Sequence, residues 1–258
     1  MGPAVVTARE TCGALMRISK DAIPLSTRQR LRRLFHPAFL GSLRRTTPLS
    51  RAWGFDRGTP IDRYYIERFL AEQRRDIRGR VLEVKDTSYT DRFGTDVTER
   101  DVLDIDSGNP HATIVADLAA ADHVPSDQFD CFILTQTLHL IYDTRAAIGH
   151  AYRLLRPGGT LLVTVPTVSR AAAKASRDYW RFTTPSCAML FAEVFRREDI
   201  SIAAYGNVLV SIAFLEGMAL EELNAHELEA NDEEFPLIVT VRAVKSAGGT
   251  SGRDRLWR

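Results

Sequence analysis

Residues 129–165 read FDCFILTQTLHLIYDTRAAIGHAYRLLRPGGTLLVTV, and this stretch decides the fold. A continuous apolar run at 129–135 predicts a strand that is buried on both faces, as strands of parallel sheets are. A helix is predicted at 144–155. The run RPGG at 156–159 ends it, because proline cannot continue a helix and glycine permits positive φ. A second buried strand is predicted at 160–165, so the stretch contains a strand, a helix and a strand.

The same alternation of short apolar runs with helical segments continues on both sides of this stretch. Strands are predicted at 81–84, 102–106, 112–115, 129–135, 160–165, 200–204 and 237–244. Helices are predicted at 60–72, 144–155 with Asp143 as N-cap, 185–195 and about 208–220. The alternation predicts the α/β class, with a doubly wound, mostly parallel seven-stranded sheet of Rossmann-like type. Ligands of such sheets bind beyond the carboxyl ends of the strands.

The link between the second and third predicted strands is unusually short. Only Ser107 to His111 separate them, whereas a parallel crossover needs a dozen or more residues. Either the crossover helix is missing and residues 112–115 form a short edge strand, or one of the two strands is wrongly predicted. Asn109-Pro110 favours a turn in both cases.

Length and composition limit the number of domains and the classes of partner. The chain has 258 residues, 45% of them apolar, which at roughly 150 residues per domain fits one α/β domain with extensions. The 34 basic and 33 acidic residues leave a net charge of +1, so no overall field attracts nucleic acid or an anionic membrane. We predict a basic N-terminal extension at 1–50, one domain at 51–246 and a flexible tail at 247–258.

The N-terminal extension differs from the rest of the chain in charge. Between Arg28 and Arg51 there are seven arginines and no acidic residue. Leu31, Leu34 and Phe35 follow helical spacing, which predicts a short amphipathic helix there. Two interpretations remain open: a solvated or frayed extension, and a segment that docks on an acidic partner or a membrane surface.

Cysteine usage favours a reducing compartment. Cys12, Cys131 and Cys187 are widely spaced and form no CxxC pair, so neither a disulfide framework nor a structural metal is predicted. The six histidines form no metal-ligand pattern either. No apolar run reaches the roughly 18 residues of a membrane span, and residues 1–18 lack a signal-peptide pattern. We therefore expect a cytoplasmic protein without a transmembrane segment or a metal.

Acidic residues follow the predicted strands where a nucleoside would bind. The first strand continues into Lys85 and has no glycine before Gly94, so the GxGxxG turn of dinucleotide-binding sheets is missing. The second strand ends in Asp104 and Asp106, which share one side of the sheet at i and i+2. Asp117 closes the third run. The carboxylates of these three aspartates can accept hydrogen bonds from ribose hydroxyls.

These segments resemble those of a known enzyme family. The order and spacing of Leu82-Glu83, Asp106, Ala116-Asp117-Leu118, FDCFILT at 129–135 and LRPGG at 155–159 resemble class I S-adenosylmethionine-dependent methyltransferases. The resemblance is clearest over residues 79–165. DRGTPIDRYY at 56–65 and DYWRFT at 178–183 resemble a bacterial group of methyltransferases that is often encoded beside glycosyltransferases. The resemblance implies a methyltransferase fold with an N-terminal helical extension and S-adenosylmethionine as cofactor.

The resemblance also implies roles for individual residues. The expected cofactor-binding residues are Glu83, Lys85, Asp106, Asp117, Leu118, Thr135 and Gln136. Asp106 would bind the ribose hydroxyls, Asp117 and Leu118 would flank the adenine, and Thr135 and Gln136 would border the methionine part. Lys85 replaces the usual glycine, and its ammonium could pair with the carboxylate of the cofactor.

An acceptor hydroxyl gains from a base that removes its proton, and His139, just beyond the fourth strand, is the candidate catalytic residue. A packed or capping histidine is the other interpretation. Tyr179, Trp180 and Arg181 stand where acceptor-binding loops usually come, and an aromatic pair beside an arginine suits a sugar with an anionic group. They could equally form the start of the following helix.

Residues before the sheet could cover the cofactor. Arg57, Asp62, Tyr64 and Tyr65 lie in or just before the helix predicted at 60–72. The same residues could instead form the outer face of that helix.

The leading hypothesis is a methyltransferase that acts on a hydroxyl of a small molecule or glycan and not on nucleic acid, because the basic residues cluster in the extension. The alternative is a methyltransferase-fold protein that has lost its cofactor and serves as a binding or scaffold module.

Overall fold

The computed structural model describes residues 24–35, 41–171 and 177–247, and the chain divides into two compact units, Met1–Thr46 and Thr47–Arg258. The first unit contains helix α1, Leu25–Phe35, which covers the amphipathic helix predicted there. The side chains of Leu34 and Phe35 are exposed. No described helix is long and apolar enough to cross a membrane.

Some predictions fall on residues that the structure does not describe. These are the predictions on Cys12, on the absence of a signal peptide at 1–18 and on most of the tail at 247–258.

The second unit is built on one seven-stranded sheet, as predicted. The strands are β1 (Gly79–Val84), β2 (Val97–Asp104), β3 (Ile114–Val115), β4 (Phe129–Thr135), β5 (Leu155–Pro166), β6 (Ile200–Tyr205) and β7 (Ile238–Val244). Their order across the sheet is β3-β2-β1-β4-β5-β7-β6. The first five strands pair in parallel, and β7 runs antiparallel to both of its neighbours. The predicted doubly wound, mostly parallel α/β fold is confirmed.

Helices cover both faces of this sheet. They are α2 (Ile61–Glu72), α3 (Ser88–Phe93), α4 (Thr144–Leu154), α5 (Thr184–Phe191), α6 (Val208–Glu216) and α7 (Ala225–Glu229). Asp143 caps α4 as predicted, because its side chain accepts a hydrogen bond from the backbone N–H of Ala146 at 2.9 Å. Gly158 has the expected positive φ of 85°.

Several predicted boundaries differ from the structure. The helix predicted at 185–195 ends at Phe191, and the one predicted at 208–220 ends at Glu216, because Gly217 takes the left-handed conformation that stops a helix. Helices α3 and α7 were not predicted; each is six residues or fewer, too short for a helical period to stand out.

The short link between β2 and β3 contains no helix. Strand β3 pairs with β2 through only two residues, Ile114 and Val115. Asn109 forms a turn within the link, where the N–H of His111 donates to its side chain at 2.9 Å. The crossover helix is therefore absent, and β3 is the short parallel edge strand that the first interpretation predicted.

Alternating side chains of the central strands enter two separate cores. On β4, Phe132 and Leu134 pack on the face that α4 and α5 cover, whereas Cys131 and Ile133 pack on the face that α2 and α6 cover. Cys131 and Cys187 are buried free thiols. Because both faces of β1, β4 and β5 are covered, ligands can reach these strands only at their ends.

Candidate functional site

Two cavities lie at the carboxyl ends of the parallel strands. The β1–β2 cavity has a volume of about 470 Å³, and the β4–β5 cavity has a volume of about 350 Å³. The β1–β2 cavity is lined by Lys85, Asp86, Thr87, Ser88, Asp91, Asp104, Asp106, Asn109 and His111. Within the ranges that the structure describes, no three or more His, Cys, Asp or Glu side chains converge as metal ligands.

The two aspartates at the carboxyl end of β2 have different roles. Asp104 accepts from the N–H of Asp106 at 3.0 Å and from the side-chain amide of Asn109 at 2.7 Å. The same amide donates to the carbonyl oxygen of Lys85 at 2.7 Å, so it ties the end of β2 to the turn after β1. Asp106 is exposed. Among the described residues, its carboxylate accepts one hydrogen bond, from the N–H of Gly108 to Oδ1 at 2.8 Å. Of these two aspartates, Asp106 is thus the one with an oxygen available to a ligand.

Lys85 takes a conformation that normally requires glycine. Its φ is +75°, which costs an ordinary residue roughly 1–2 kcal/mol. Its N–H donates to the carbonyl oxygen of Leu103 at 3.1 Å, and its exposed side chain lines the β1–β2 cavity. The turn after β1 therefore forms without a glycine, and the lysine adds a positive charge to the cavity.

Glu83 holds this turn in place and does not face a cavity. Its carboxylate is buried and accepts from the N–H of Tyr89 at 3.0 Å, the N–H of Thr90 at 2.8 Å and the hydroxyl of Thr90 at 2.7 Å. Burial raises its pKa to about 7, although the hydrogen bonds from Thr90 and Tyr89 oppose the shift. Both oxygens accept hydrogen bonds, so Glu83 fixes helix α3 and the turn.

The side chain of Asp117 also bonds to a backbone group. Its Oδ1 accepts from the N–H of Ala119 at 2.9 Å and so caps the single helical turn Leu118–Ala120. Its Oδ2 lies 3.9 Å from the guanidinium of Arg177. Leu118 is buried. Neither Asp117 nor Leu118 lines either cavity, so any adenine contact by Asp117 is left to Oδ2.

The β4–β5 cavity begins where β4 ends. Thr135 is buried, and Gln136 has a positive φ of 46° that turns its side chain into the cavity wall. The backbone N–H of Gln136 donates to the carbonyl oxygen of Thr164 on β5 at 2.8 Å. The other lining residues are Trp53, Phe55, Pro60, Asp62, Arg63, His139, Leu140, Pro166, Val168, Ser169, Arg170, Asp178, Phe214, Leu237 and Ile238.

Residues 50–60 form one side of this cavity, and we call them the cover segment. The N–H of Ser50 donates to the carbonyl oxygen of Glu216 at 3.0 Å, and the hydroxyl of Thr59 donates to Glu221 at 2.7 Å. Arg57 pairs with Glu222. These bonds fasten the segment to the end of α6 and to the chain that follows it, so Arg57 has a structural role and does not line the cavity.

Two proton acceptors that line the β4–β5 cavity, His139 and Asp62, have shifted pKa values. Burial lowers the pKa of His139 to about 4, against the opposing charge of Asp178, so its imidazole is neutral at pH 7. Its Nδ1 is buried and has no hydrogen-bond partner among the described residues. Burial raises the pKa of Asp62, although the charge of Arg63 opposes this. Both groups can accept a proton in a mostly apolar cavity.

Three aromatic rings lie next to His139 on the surface, and we call them the aromatic platform. The backbone N–H groups of Tyr179 and Trp180 donate to the carbonyl oxygen of His139 at 2.9 and 3.2 Å. The ring of Tyr142 lies 5.4 Å from that of Tyr179 and 5.9 Å from that of Trp180. All three side chains are exposed, so the platform can receive a ligand face.

The sequence suggested Arg181 as a ligand-binding partner of these rings, but its guanidinium is engaged elsewhere. Its guanidinium donates to Asp178 at 2.6 Å and to the carbonyl oxygen of Arg170 at 3.0 Å. Its charge is therefore already paired.

Tyr64 and Tyr65 belong to the core side of α2. Tyr65 is buried, and its hydroxyl donates to the carbonyl oxygen of Leu228 at 2.9 Å. The ring of Tyr64 packs edge-on against it at 5.0 Å. Neither tyrosine lines a cavity, whereas Asp62 does.

Trp53, Phe55 and Arg170 were not among the predicted site residues. The tryptophan and the phenylalanine precede the resembling segment at 56–65, and Arg170 follows β5 in a polar stretch. No local pattern marks them, because only tertiary contacts bring these residues to one cavity.

Comparisons with known proteins place this chain in a family. Residues 44–201, more than half of the chain, match the family model described as a methyltransferase domain. The chain therefore belongs to this family, the class I S-adenosylmethionine-dependent methyltransferases. No curated protein matches the chain in sequence.

The chain is also similar to several solved structures. A SAM-dependent methyltransferase from Archaeoglobus fulgidus is 12% identical, covering 71% of this chain and 94% of that one, with a TM-score of 0.48. The N-methyltransferase NodS from Bradyrhizobium japonicum, solved with S-adenosyl-L-homocysteine, is 13% identical, covering 77% and 94%, with a TM-score of 0.48. Phosphoethanolamine N-methyltransferase 2 from Haemonchus contortus, solved with S-adenosyl-L-methionine, is 16% identical, covering 69% and 52%, with a TM-score of 0.48.

The residues of the β1–β2 cavity fit the cofactor of this family. Asp106 keeps Oδ2 without a partner among the described residues, as a group that binds a ribose diol should. Lys85 offers an ammonium group for a carboxylate, and its backbone takes the glycine conformation. This acceptor and this donor therefore match S-adenosylmethionine, which carries ribose hydroxyls and a carboxylate at its amino-acid end.

Glu83 gives a testable pH dependence of stability. Its pKa in the folded protein, about 7, exceeds the ordinary value of 4.5, so its contribution is fully present below about pH 4.5 and is lost as the pH rises through about 7. Glu83→Gln cannot titrate. Denaturant unfolding at a series of pH values should therefore show that the stability difference between wild type and Glu83→Gln shrinks from pH 4.5 to 8. The exposed Glu233→Gln should follow the wild-type profile. A constant difference between wild type and Glu83→Gln would contradict the raised pKa.

Proposed function

We propose that the protein transfers a methyl group from S-adenosylmethionine to a hydroxyl of a small molecule or glycan held in the β4–β5 cavity. The observation that carries this proposal is the position of His139, a neutral imidazole on the wall of a largely apolar cavity that starts at Gln136. A hydroxyl bound there would have a proton acceptor beside it and little water around it. A cytoplasmic location is part of this proposal and rests on the cysteine usage of the sequence.

The cofactor would be held by residues from four strand ends. Asp106 would bind the ribose hydroxyls through Oδ2, and Lys85 would pair with the amino-acid carboxylate. Asp117 and Leu118 remain the candidates for the adenine, and Thr135 and Gln136 for the methionine part. When bound, S-adenosylmethionine supplies a methyl group on a sulfonium sulfur that is already a good leaving group.

The protein's own contribution to the reaction is to position the acceptor and to accept its proton. His139 would take the hydroxyl proton on an unprotonated ring nitrogen, because its low pKa keeps it neutral at physiological pH. Asp62, on the opposite element of the same cavity, is the second candidate base. Trp53 and Phe55 of the cover segment would present apolar surface to the acceptor.

The aromatic platform supports a glycan or glycoside as the acceptor. Exposed aromatic rings that cluster beside a site bury the apolar C–H face of a sugar well. Tyr142, Tyr179 and Trp180 provide such a face directly outside His139. The alternative proposal, a binding module without cofactor, rested on the missing glycine, and Lys85 takes the conformation that the glycine would supply.

Binding of S-adenosylhomocysteine tests the cofactor assignment. Calorimetry should show micromolar binding to the wild type and a loss of at least about tenfold in Asp106→Ala, because a charge-assisted hydrogen bond contributes about 1.5–3 kcal/mol. Asp122→Ala, which removes an exposed carboxylate elsewhere, should bind like the wild type. No binding to the wild type would refute the enzymatic proposal and favour the binding module.

The pH profile of turnover tests His139. With radiolabelled S-adenosylmethionine and the acceptor, kcat/KM should be constant near neutral pH and fall as the pH approaches about 4, where the imidazole becomes protonated. His139→Gln should lower kcat by about 10²–10⁴-fold. The exposed His123→Gln is the control. If His139→Gln keeps its activity while Asp62→Asn loses it, Asp62 is the base.

Sugar binding tests the aromatic platform. Titration with glucose, galactose and N-acetylglucosamine should change the tryptophan fluorescence of the wild type. Tyr142→Ala should weaken the tightest of these interactions about five- to tenfold, in keeping with about 1 kcal/mol for an aromatic contact. Met189→Ala, an equally exposed apolar side chain on α5, should have no effect. A platform that responds to none of these sugars would exclude the glycan assignment.

A further inference from the structure

Arg170 is a cation at the β4–β5 cavity that the proposed reaction does not use. Its guanidinium carbon lies 3.4 Å from the ring centroid of Trp53, so the two planar groups are in direct contact. Its Nε is buried and has no hydrogen-bond partner among the described residues. Both residues line the cavity. A ligand in the cavity would therefore meet an arginine that still has donors to offer.

The carboxylates of the same cavity do not satisfy Arg170. Asp178 is paired with Arg181 at 2.6 Å. Asp62 lies in the first turn of α2, and the charge that acts on it most is that of Arg63. No carboxylate of the described residues lies within ion-pair distance of Arg170. A cation beside an apolar cavity costs free energy unless an anion or hydrogen bonds compensate it, so the cavity favours an anionic ligand.

The backbone holds Trp53 in a strained conformation to make this contact. Its φ is +53°, which is rare for a bulky residue. The next residue, Gly54, has a φ of +87°, and a Cβ there would lie 2.6 Å from the carbonyl oxygen of Met218. Ser50 accepts the N–H of Ala52 at 2.9 Å and bonds to Asp56, which closes the turn. Strain of this kind tends to occur where a ligand is bound.

The stacking on Trp53 also determines which N–H donors of Arg170 stay available to a ligand. An aromatic ring under a guanidinium covers its flat face and leaves the N–H groups in its plane. Those groups match the two oxygens of a carboxylate or of a phosphate, which accept a pair of parallel hydrogen bonds. Tryptophan gives the strongest contact of this type and keeps the guanidinium from turning away.

We propose that Arg170 and Trp53 form an oxyanion subsite, so that the acceptor carries a carboxylate or a phosphate beside the hydroxyl that is methylated. This inference rests on the proposed function, because it places the anionic group in the same cavity as His139. It transfers to Arg170 the role that the sequence suggested for Arg181, whose guanidinium is already paired. A neutral sugar offers Arg170 hydroxyl oxygens but no opposite charge.

Binding without any cofactor tests the subsite. Calorimetry of the wild type with glucose, glucuronate and glucose 6-phosphate should show at least tenfold tighter binding of one or both anions. Glucuronate and glucose 6-phosphate distinguish a carboxylate from a phosphate. Arg170→Gln should bind all three alike, and Arg170→Lys, which keeps the charge but loses the planar pair of donors, should lie between. Arg145→Gln, an exposed arginine paired with Glu193 on the surface, should keep the wild-type preference.

The outcomes separate this inference from the proposed function. Equal binding of all three sugars by the wild type, or an anion preference that survives in Arg170→Gln, would overturn the subsite. Trp53→Leu provides a second test, because it should reduce the anion preference while thermal unfolding shows that the protein is folded. If S-adenosylhomocysteine binds but anions are not preferred, only the subsite fails. If anions are preferred but S-adenosylhomocysteine does not bind, the methyltransferase proposal fails and the subsite remains.

Discussion

The carboxyl edge of the sheet depends on the hydrogen bonds that the buried carboxylate of Glu83 accepts. This carboxylate lies at the end of a central strand and receives three hydrogen bonds from the first residues of α3. Removing those donors would leave a buried acid without partners, which is costly. The turn between Glu83 and α3 carries Lys85, and Asn109 joins that turn to Asp104. One carboxylate thus positions residues from two strands at once.

The sheet was predictable from the sequence because the residue patterns that specify it are local. The apolar runs of β4 and β5, the RPGG run that follows α4 at the start of β5, and the cap by Asp143 each act over a few residues. The conformation of Lys85 was not predictable, since positive φ is rare for a residue with a side chain. Asp117 shows the same limit, because an acid after a strand can cap a turn or bind a ligand.

The candidate site was only partly visible in the sequence. His139 and Asp62 were named and do line one cavity, whereas Tyr65 proved to be core and Arg57 and Arg181 proved to be paired with acids. The contact between Trp53 and Arg170 joins residues more than a hundred positions apart, and no spacing rule indicates it. A single arginine cannot be assigned to a ligand until its neighbours are known.

The missing crossover helix has a consequence for local stability. Strand β3 is held to the sheet by two residues only, and Ile105 and Val115 remain about half exposed beside it. Opening of the native structure should therefore begin at this edge, where little apolar surface is lost on separation. Asp117 follows β3 directly and would move with it. This edge can thus loosen without disturbing β4 and β5, which lie at the centre of the sheet.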